Sequence, residues 1–407
     1  MTATERRASA SLAAIFALRM LGLFLVLPVF ALEAAHYPGG GDPARIGLAM
    51  GIYGLTQGVL QIPFGLASDR FGRKRVIIAG LLVFALGSVV AAFAGSLGGL
   101  IAGRALQGAG AVSAAVTALL ADQTRDVVRT KAMAVVGATI GLMFALSLVV
   151  APALTAHIGL AGLFGLTGGL GLVGVAIVAW VVPPEPARQA DQPRGRLADV
   201  LAHPGLLRLD AGVFILHAVQ LSMWVTVPAF LVQAGLPKAE HWHVYLPAVL
   251  ASFLVMGTTL FPLERRGYLR AVFLAAIGLV GVVQLGLFWL ADGRAGGHPG
   301  LGALAVLLFL FFCGFNVLEA SQPSMASRIA PPQARGAALG VYNTLQSLGL
   351  FAGGALGGWL AKSVGAQGLF AVNAALMGVW LLVAWPMAGV AGRDPARAKA
   401  GERPLAT

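Results

Sequence analysis

Charged residues are scarce in this sequence, and their scarcity excludes the usual soluble classes of protein. Only 11% of the 407 residues are Asp, Glu, Lys or Arg, whereas soluble domains carry about 25%. Hydrophobic residues make up 58%, which excludes a disordered or fibrous chain. Single apolar cores stop growing near ~250–300 residues, so these residues cannot all pack into one water-soluble core. The sequence therefore predicts a protein whose solvent is largely lipid.

Cysteine is nearly absent, and the motifs of several enzyme classes are missing. The one cysteine, Cys313, lies inside an apolar run, so no intrachain disulfide can form. No G-x-x-x-x-G-K-[ST] segment occurs, which argues against ATP as the energy source. No H-E-x-x-H motif or Cys/His cluster indicates a metal site. We expect neither an enzyme nor a bound metal or cofactor.

Long apolar runs, separated by charges or by Gly and Pro, dominate the sequence. A transmembrane helix needs ~20 apolar residues, and twelve runs of about this length are present. They cover residues 10–34, 46–67, 76–94, 97–121, 131–156, 161–182, 209–234, 242–263, 270–291, 300–327, 336–361 and 368–390. The first run is too long for a secretory signal and is expected to stay uncleaved. The pattern predicts an all-α integral membrane protein with twelve transmembrane helices.

Basic residues fall mostly on one side of these predicted helices. Of the 28 Lys and Arg residues, 22 lie in the termini and the loops on the same side as both termini. The opposite loops hold four, Arg45, Lys238, Arg294 and Lys362, and two more lie inside spans. Because cytoplasmic loops carry an excess of Lys and Arg, both termini are expected in the cytoplasm. The net charge of +12 then reports orientation, and no nucleic-acid partner is expected.

The chain divides into two similar halves. A Pro-rich polar segment at 183–207 separates residues 1–182 from residues 208–391 and is predicted to be a cytoplasmic linker. Segments 153–164 and 359–370, which lie 206 residues apart, share five of twelve residues. Two parallel six-helix halves are one arrangement of secondary transporters. We therefore predict two pseudo-symmetric six-helix bundles.

The segment between predicted helices 2 and 3 carries the strongest motif. It reads G-L-A-S-D-R-F-G-R-K-R from Gly65 to Arg75 and resembles a signature of the major facilitator superfamily. Gly65 is expected to allow a close backbone approach, and Gly72 to supply the turn. The alternative is a basic turn that only orients the hairpin.

The resemblance implies that this motif is a gate on the cytoplasmic side. Asp69 should face the N-terminus of helix 11, where the helix dipole favours an anion, and Arg73 should pair with carboxylates at the end of helix 4. These contacts would join the halves in one state and open in the other. The gating residues are Gly65, Asp69, Arg70, Gly72, Arg73, Asp122, Asp126 and Gly336.

The resemblance extends to other helices. Segments 16–29, 51–66, 103–111 and 240–246 look like the YajR-like branch of the superfamily. This implies a monomeric, multi-pass, proton-driven exporter of the drug-efflux type in the bacterial inner membrane, with a small-molecule substrate and protons as its partners. That branch carries a small cytoplasmic domain after helix 12. Here a polar cytoplasmic tail at 392–407 follows helix 12, so we expect the extra domain to be missing.

Ionisable residues inside the predicted spans are candidates for proton coupling, because the bilayer makes them costly. Arg104 lies in R-A-L-Q-G-A-G-A, which resembles the superfamily's second motif and implies such a role. Arg19 poses the same question. Glu319 is an acid deep in a span, and His217 belongs to the residue type that titrates near neutral pH. Each of the four could instead be structural, satisfied by carbonyl groups or neighbouring side chains.

Polar residues at helical spacing predict a central cavity. Asn316, Glu319 and Gln322 share one face of helix 10, and helices 2, 4, 7 and 11 carry similar sets. The cavity candidates are Tyr53, Gln57, Gln61, Gln107, Gln220, Trp224, Asn316, Gln322, Asn343 and Gln346. The amides among them could instead make interhelical hydrogen bonds. Glu33, at the far end of helix 1, is expected to be solvated.

Together these features lead to the hypothesis of proton-coupled efflux by alternating access. Helix 5 carries Ala151-Pro152-Ala153, where the antiporters of the superfamily have Gly on both sides of the Pro. A symporter that imports a metabolite therefore remains an alternative. A membrane sensor or an intramembrane enzyme that transports nothing is the remote one.

Overall fold

The computed structural model describes residues 1–185, 197–291, 300–331 and 334–387. Thirteen α-helices occur in these ranges, and no β-strand does. They are α1 Ala3–Ala34, α2 Pro43–Phe71, α3 Arg73–Ala92, α4 Leu97–Ala109, α5 Ser113–Asp122, α6 Asp126–Ala176, α7 Leu197–Leu201, α8 Pro204–Gln233, α9 Trp242–Arg265, α10 Leu269–Ala291, α11 Leu301–Ile329, α12 Arg335–Ser363 and α13 Gly365–Ala384. A π-helical turn, Ile177–Val181, continues α6.

The longest helix, α6, consists of two arms that meet at Gly159. Its 51 residues would extend about 75 Å if straight, more than twice a hydrocarbon core of ~30 Å. Gly159 has a φ of +64°, a left-handed conformation that favours glycine and ends the first arm. Gly365, 206 residues later, has a φ of +71° between α12 and α13. The two halves thus use the same turn at matching positions.

The predicted span at 97–121 corresponds to one membrane-long stretch, Leu97–Asp122, but its helix is interrupted. Helix α4 ends at Ala109 and α5 begins at Ser113. At the break, a Cβ on Gly110 would lie 2.4 Å from the carbonyl oxygen of Gly80 on α3. The backbones of α3 and this segment are therefore in direct contact, closer than side chains would permit.

Nine helical stretches among the described residues are long and apolar enough to cross a membrane. The two arms of α6 count there as one stretch, from Val135 to Val181. Helices α2 and α12 are not among the nine, because both are rich in Gly and polar residues. An all-helical membrane protein is thus confirmed, whereas the count of twelve and the side of the termini stay predictions.

Helices α2 and α12 form the main seam between the N-terminal half (α1–α6) and the C-terminal half (α8–α13). A Cβ on Gly47 would lie 2.1 Å from the carbonyl oxygen of Gly354, so the two backbones touch there. At the opposite end of α12, no described atom lies within 4 Å of a Cβ built on Gly336 or Gly340. We call the two ends of the bundle the Asp42 end and the Asp69 end, after residues at the two ends of α2. The seam is closed at the Asp42 end and separates toward the Asp69 end.

Candidate functional site

An acid, an imidazole and an amide converge in the C-terminal half. The Nε2 atom of His217 on α8 lies 3.3 Å from Oε2 of Glu319 on α11. The side-chain nitrogen of Gln346 on α12 lies 3.2 Å from Oε1 of Glu319 and 2.8 Å from Nε2 of His217. Three predicted site residues thus form one cluster, which we call the acid–imidazole cluster.

The hydrogen bonds of His217 define which ring nitrogen faces the acid. The Nδ1 atom of His217 lies 2.9 Å from the carbonyl oxygen of Val213, so Nδ1 is the donor and Nε2 faces the carboxyl group and the amide nitrogen of Gln346. The Oε2 atom of Glu319, 3.3 Å from Nε2, has no hydrogen-bond partner among the described residues. The cluster therefore holds a carboxyl oxygen that lacks a donor.

Glu319 is open to space even though it lies deep in a helix. Its side chain is 37% exposed, whereas that of His217 is 5% exposed. Ten residues separate Glu319 from the end of α11 at Ile329, or about 15 Å at 1.5 Å per residue. Because its Oε2 atom, which faces His217, is itself buried, the exposed surface belongs to the rest of the side chain.

A second polar cluster connects the N-terminal half to the first. Arg19 on α1, 2% exposed, donates to Ser113, to the hydroxyl of Tyr53 at 2.9 Å and to Oε1 of Gln57 at 2.7 Å. The amide nitrogen of Gln57 donates to Ser347 on α12 at 2.9 Å. Ser347 is the chain neighbour of Gln346, so the polar contacts cross the seam directly beside the acid–imidazole cluster.

Arg104 reaches the same network through an aromatic ring. Its guanidinium lies 5.0 Å from the ring centre of Tyr53 and donates to the carbonyl oxygen of Met50 and to Gln107. Gln107 in turn donates to Ser88 at 2.8 Å. The described contacts of Arg104 all lie in the N-terminal half, as the structural alternative expects. Its role in proton coupling stays a prediction.

Aromatic side chains close the seam on the Asp42 side of the acid–imidazole cluster. Phe144 on α6 lies 5.1 Å from Phe24 on α1 and 6.0 Å from Phe312 on α11, measured between ring centres. Phe315 stands edge-on to His217 at 6.0 Å. Trp224, packed on Tyr245, lines a cavity of only about 10 Å³ beyond this layer. No pattern in the sequence singled out these phenylalanines.

Two ion pairs join the halves at the Asp42 end. Lys238, before α9, pairs with Glu33 at the end of α1. Lys362, at the end of α12, lies 2.8 Å from Asp42, the N-cap of α2, and its hydrogen bond lowers the pKa of that carboxyl group. The expectation that Glu33 is merely solvated is wrong. Both lysines belong to the few basic residues on the base-poor side of the sequence, which is the signal that could have identified them.

The motif loop at the Asp69 end is held within the N-terminal half. Arg73 contacts Asp122 at 3.1 Å, the pair that the motif predicts, and also contacts Asp69 at 2.6 Å. Gly72 has a φ of +101°, the turn that the motif requires. Glu185, which the sequence did not suggest, accepts the backbone N–H groups of Arg73 and Lys74 at the start of α3.

Two gating predictions are not seen in this structure: the close backbone approach at Gly65, and the approach of Asp69 to the start of α12 near Gly336. A Cβ on Gly65 would meet Ala114 at an ordinary 3.6 Å, so no close backbone approach occurs there. Gly336 lies in open space, as expected of a gate that is open at this end. The guanidinium of Arg70 lies over the ring of Phe71, at 5.4 Å. The side chain of Asp126 lies outside the described residues.

The remaining cavity candidates divide into bonded and unbonded groups. Asn316 donates to Ser252 at 2.8 Å, an interhelical hydrogen bond of the kind the alternative expects. Gln61 and Gln322 are buried, and neither amide atom of either side chain has a hydrogen-bond partner among the described residues. Gln220 is buried on α8, and Asn343 is half-buried one turn of α12 before Ser347. In the described ranges, no three His, Cys, Asp or Glu residues converge as a metal site would require.

The comparisons with known proteins agree on one family. The sequence matches the profile of the Major Facilitator Superfamily over residues 12–291 and 262–407. It is 44% identical over 391 residues to the inner membrane transport protein YajR of Escherichia coli K12, covering 95% of this chain and 84% of that protein. It is 28% identical over 370 residues to the multidrug resistance protein MdtH of Aeromonas salmonicida, covering 86% of each.

Solved structures share the fold at low sequence identity. The human organic anion transporter MFSD10 superposes with a TM-score of 0.69 at 20% identity, over 94% of this chain and all of that one. The POT family transporter PepTSo gives 0.73 at 14% identity, over 98% of this chain and 99% of that one. These two likenesses establish the fold alone. Together with the family match, they show that the chain belongs to the Major Facilitator Superfamily and is a multi-pass inner-membrane transporter, not an enzyme.

Proposed function

We propose that this transporter couples the export of a small molecule to the entry of protons by alternating access. Its two halves rock about the central seam, so that the polar network opens alternately to each side of the membrane. The excess of basic residues predicts that the Asp69 end lies in the cytoplasm. The relatives named as multidrug resistance proteins support efflux of drug-like compounds.

One observation carries the proposal. The acid–imidazole cluster holds a carboxyl oxygen without a donor on a partly exposed side chain, while ion pairs and aromatic rings close the Asp42 end. We infer that this carboxyl group binds the coupled proton and exchanges it with the Asp69 end. A buried site that changes from one negative charge to none alters the free energy of every conformation in which water is excluded from it. Proton binding can therefore shift the balance between the two open states, provided the proton is bound more tightly in one of them.

The cycle follows from this geometry. In the state described, the cluster releases its proton to the Asp69 side, and the substrate enters the space beside Glu319. The halves then close over the Asp69 end, where Asp69 approaches the N-terminus of α12 near Gly336. At the same time the pairs Glu33–Lys238 and Asp42–Lys362 separate. A proton from the other side then rebinds as the substrate leaves, and the inward gradient adds ~2.3 kcal/mol per charge for each 100 mV.

Glu319→Gln tests the proposal in proteoliposomes that carry a pH gradient. Compounds from a chemically diverse panel are first selected by thermal shift of the wild type. Proton movement is then followed with an internal pH dye. The variant should lose compound-dependent proton movement, since a neutral amide cannot exchange a proton. Glu240→Gln removes an exposed carboxylate of the same half and should keep it. Unchanged coupling in Glu319→Gln would show the assignment to be wrong.

A proton-coupled importer is the second candidate, favoured by the alanines that flank Pro152. The direction of flux separates the two. An antiporter accumulates the compound in vesicles that are acidic inside, whereas a symporter accumulates it in vesicles that are acidic outside. The absence of any compound flux, together with no change in accessibility of single cysteines in a chain without Cys313, would instead favour a sensor or an enzyme.

A further inference from the structure

A second acid, Asp210, is buried in α8 and takes no part in the contacts described so far. It is 3% exposed, and its Oδ2 atom has no hydrogen-bond partner among the described residues. Asp210 and His217 are seven residues apart, two helical turns, and therefore share one face of α8. Asp210 lies six residues from the start of α8, about 9 Å from the Asp69 end. It is thus placed between that end and the acid–imidazole cluster.

A buried tyrosine lies at the same depth as Asp210. Tyr342 on α12 is 2% exposed, and its hydroxyl has no hydrogen-bond partner among the described residues, neither acid included. Counted along α12, Tyr342 is about 10 Å from the Asp69 end, level with Asp210, and Gln346 is about 16 Å from it, level with Glu319. The acid groups therefore form a sequence of increasing depth.

The described arginines of the C-terminal half at this end are paired, exposed or close to Asp210 along the chain. Arg328 pairs with Glu264, and Arg270 donates to the carbonyl oxygen of Trp385. Arg265, Arg266 and Arg335 are exposed. Arg208 is two residues from Asp210 on the same helix, about 200° around it. On α13, the neutral indole of Trp380 lies against Gly212, close to this site. A buried carboxylate in such surroundings is far more stable with a proton than without one.

We propose that Asp210 is a second proton-binding carboxyl group of this transporter, placed between Glu319 and the Asp69 end. The proposal rests on the proposed function. Asp210 takes its proton from the aqueous phase and returns it there, so the site carries one negative charge without that proton and none with it.

Infrared spectroscopy of the purified, full-length protein in lipid nanodiscs tests this directly. Only the pH of the buffer is varied, and no compound is added. Protonated carboxyl groups give a carbonyl stretch that ionised ones lack. At neutral pH the wild type should show a protonated-acid band that disappears on alkaline titration. Asp210→Asn should lose one component of that band, Glu319→Gln should lose another, and exposed Glu240→Gln should lose none.

Asp210→Glu is the control for misfolding of Asp210→Asn. It retains an acid at this position and should therefore shift the band component rather than remove it. Spectra of Asp210→Asn and Asp210→Glu that both superpose on the wild type would overturn the proposal. If that happens while Glu319→Gln still abolishes proton movement, only the Asp210 site is wrong. If the Asp210 component is lost but Glu319→Gln transports normally, the Asp210 site stands and the proposed coupling through Glu319 is wrong.

Discussion

At the scale of single residues, the two buried arginines have different surroundings. Arg19 contacts only side chains, and one of these, Gln57, crosses the seam to Ser347. Arg104 contacts a backbone carbonyl, an amide of its own helix and the ring of Tyr53. Arg19 is therefore placed to respond when the halves move, whereas Arg104 fixes Tyr53 within one half.

Replacing Arg104 should reduce stability more than coupling. Arg104→Met keeps the apolar stem but loses two hydrogen bonds and the contact with the ring, together worth about 2 kcal/mol. We expect a lower melting temperature in detergent and compound-dependent proton movement that persists at a reduced level. Complete loss of coupling at unchanged stability would contradict this and would favour the proton-coupling role. Arg104→Lys, which keeps the charge, serves as the control.

The sequence predicted the chemistry of the site better than its geometry. Glu319, His217 and Gln346 stood out because polar residues are costly in a membrane, and the structure brings them together. Ser347 and Ser113 could not be singled out, because a serine in a helix usually bonds to its own backbone. Asp210 was missed because it lies near the boundary of its predicted span, where an acid needs no special explanation.

At the scale of helices, the seam depends on glycines that allow backbones to touch. Spacing alone predicted neither which glycines meet nor at which end. Gly354 faces Gly47 and Gly51, whereas Gly340 on the same helix faces open space. The turns at Gly159 and Gly365 were easier to foresee, because they fall between apolar runs and repeat at the same offset. Helix α2 was predicted from the apolar run at 46–67 although its apolarity is low.

Gly354→Ala and Gly340→Ala form a matched pair that tests the seam. A methyl group at Gly354 would lie 2.6 Å from the carbonyl oxygen of Gly47, so the two helices must move apart. Alanine favours a helix over glycine by about 1 kcal/mol, so Gly340→Ala should leave stability unchanged or raised. We expect Gly354→Ala to lower the melting temperature and to expose a cysteine introduced at Ser347 to thiol reagents. Equal behaviour of the two variants would show that the seam is not closely packed.

At the scale of the whole molecule, charge is used differently at the two ends. At the Asp42 end, both described pairs between a lysine and a carboxylate join the halves. At the Asp69 end, the pairs Arg73–Asp122, Arg125–Glu5 and Arg328–Glu264 each stay within one half. This asymmetry describes a molecule closed at one end and open at the other. The sequence showed where the charges lie but not which of them pair, because pairing depends on the conformation.

Asp42→Asn should favour opening of the Asp42 end at any physiological pH. The hydrogen bond from Lys362 holds the pKa of Asp42 below its ordinary value of 3.8. A lowered pKa means that the pair contributes fully above that ordinary value and is lost only as the pH falls through the lowered one. The effect on the thiol-reagent accessibility of a cysteine introduced at Ser347 should therefore be the same at pH values of about 5 and about 8. An effect that is present at the higher pH and absent at the lower one would show that the pKa of Asp42 is raised rather than lowered.

The central claim is that proton binding at Glu319 sets which end of the molecule is open, and electron-spin distance measurements test it without a substrate. Spin labels at Arg6 and Tyr268 report on the Asp69 end, and labels at Phe93 and Val364 report on the Asp42 end, in a chain without Cys313. All four positions are exposed. In the wild type, a change from acidic to alkaline buffer should lengthen the label distance at one end and shorten it at the other. Glu319→Gln should hold the acidic distributions at every pH, and a variant that responds to pH as the wild type does would contradict the claim.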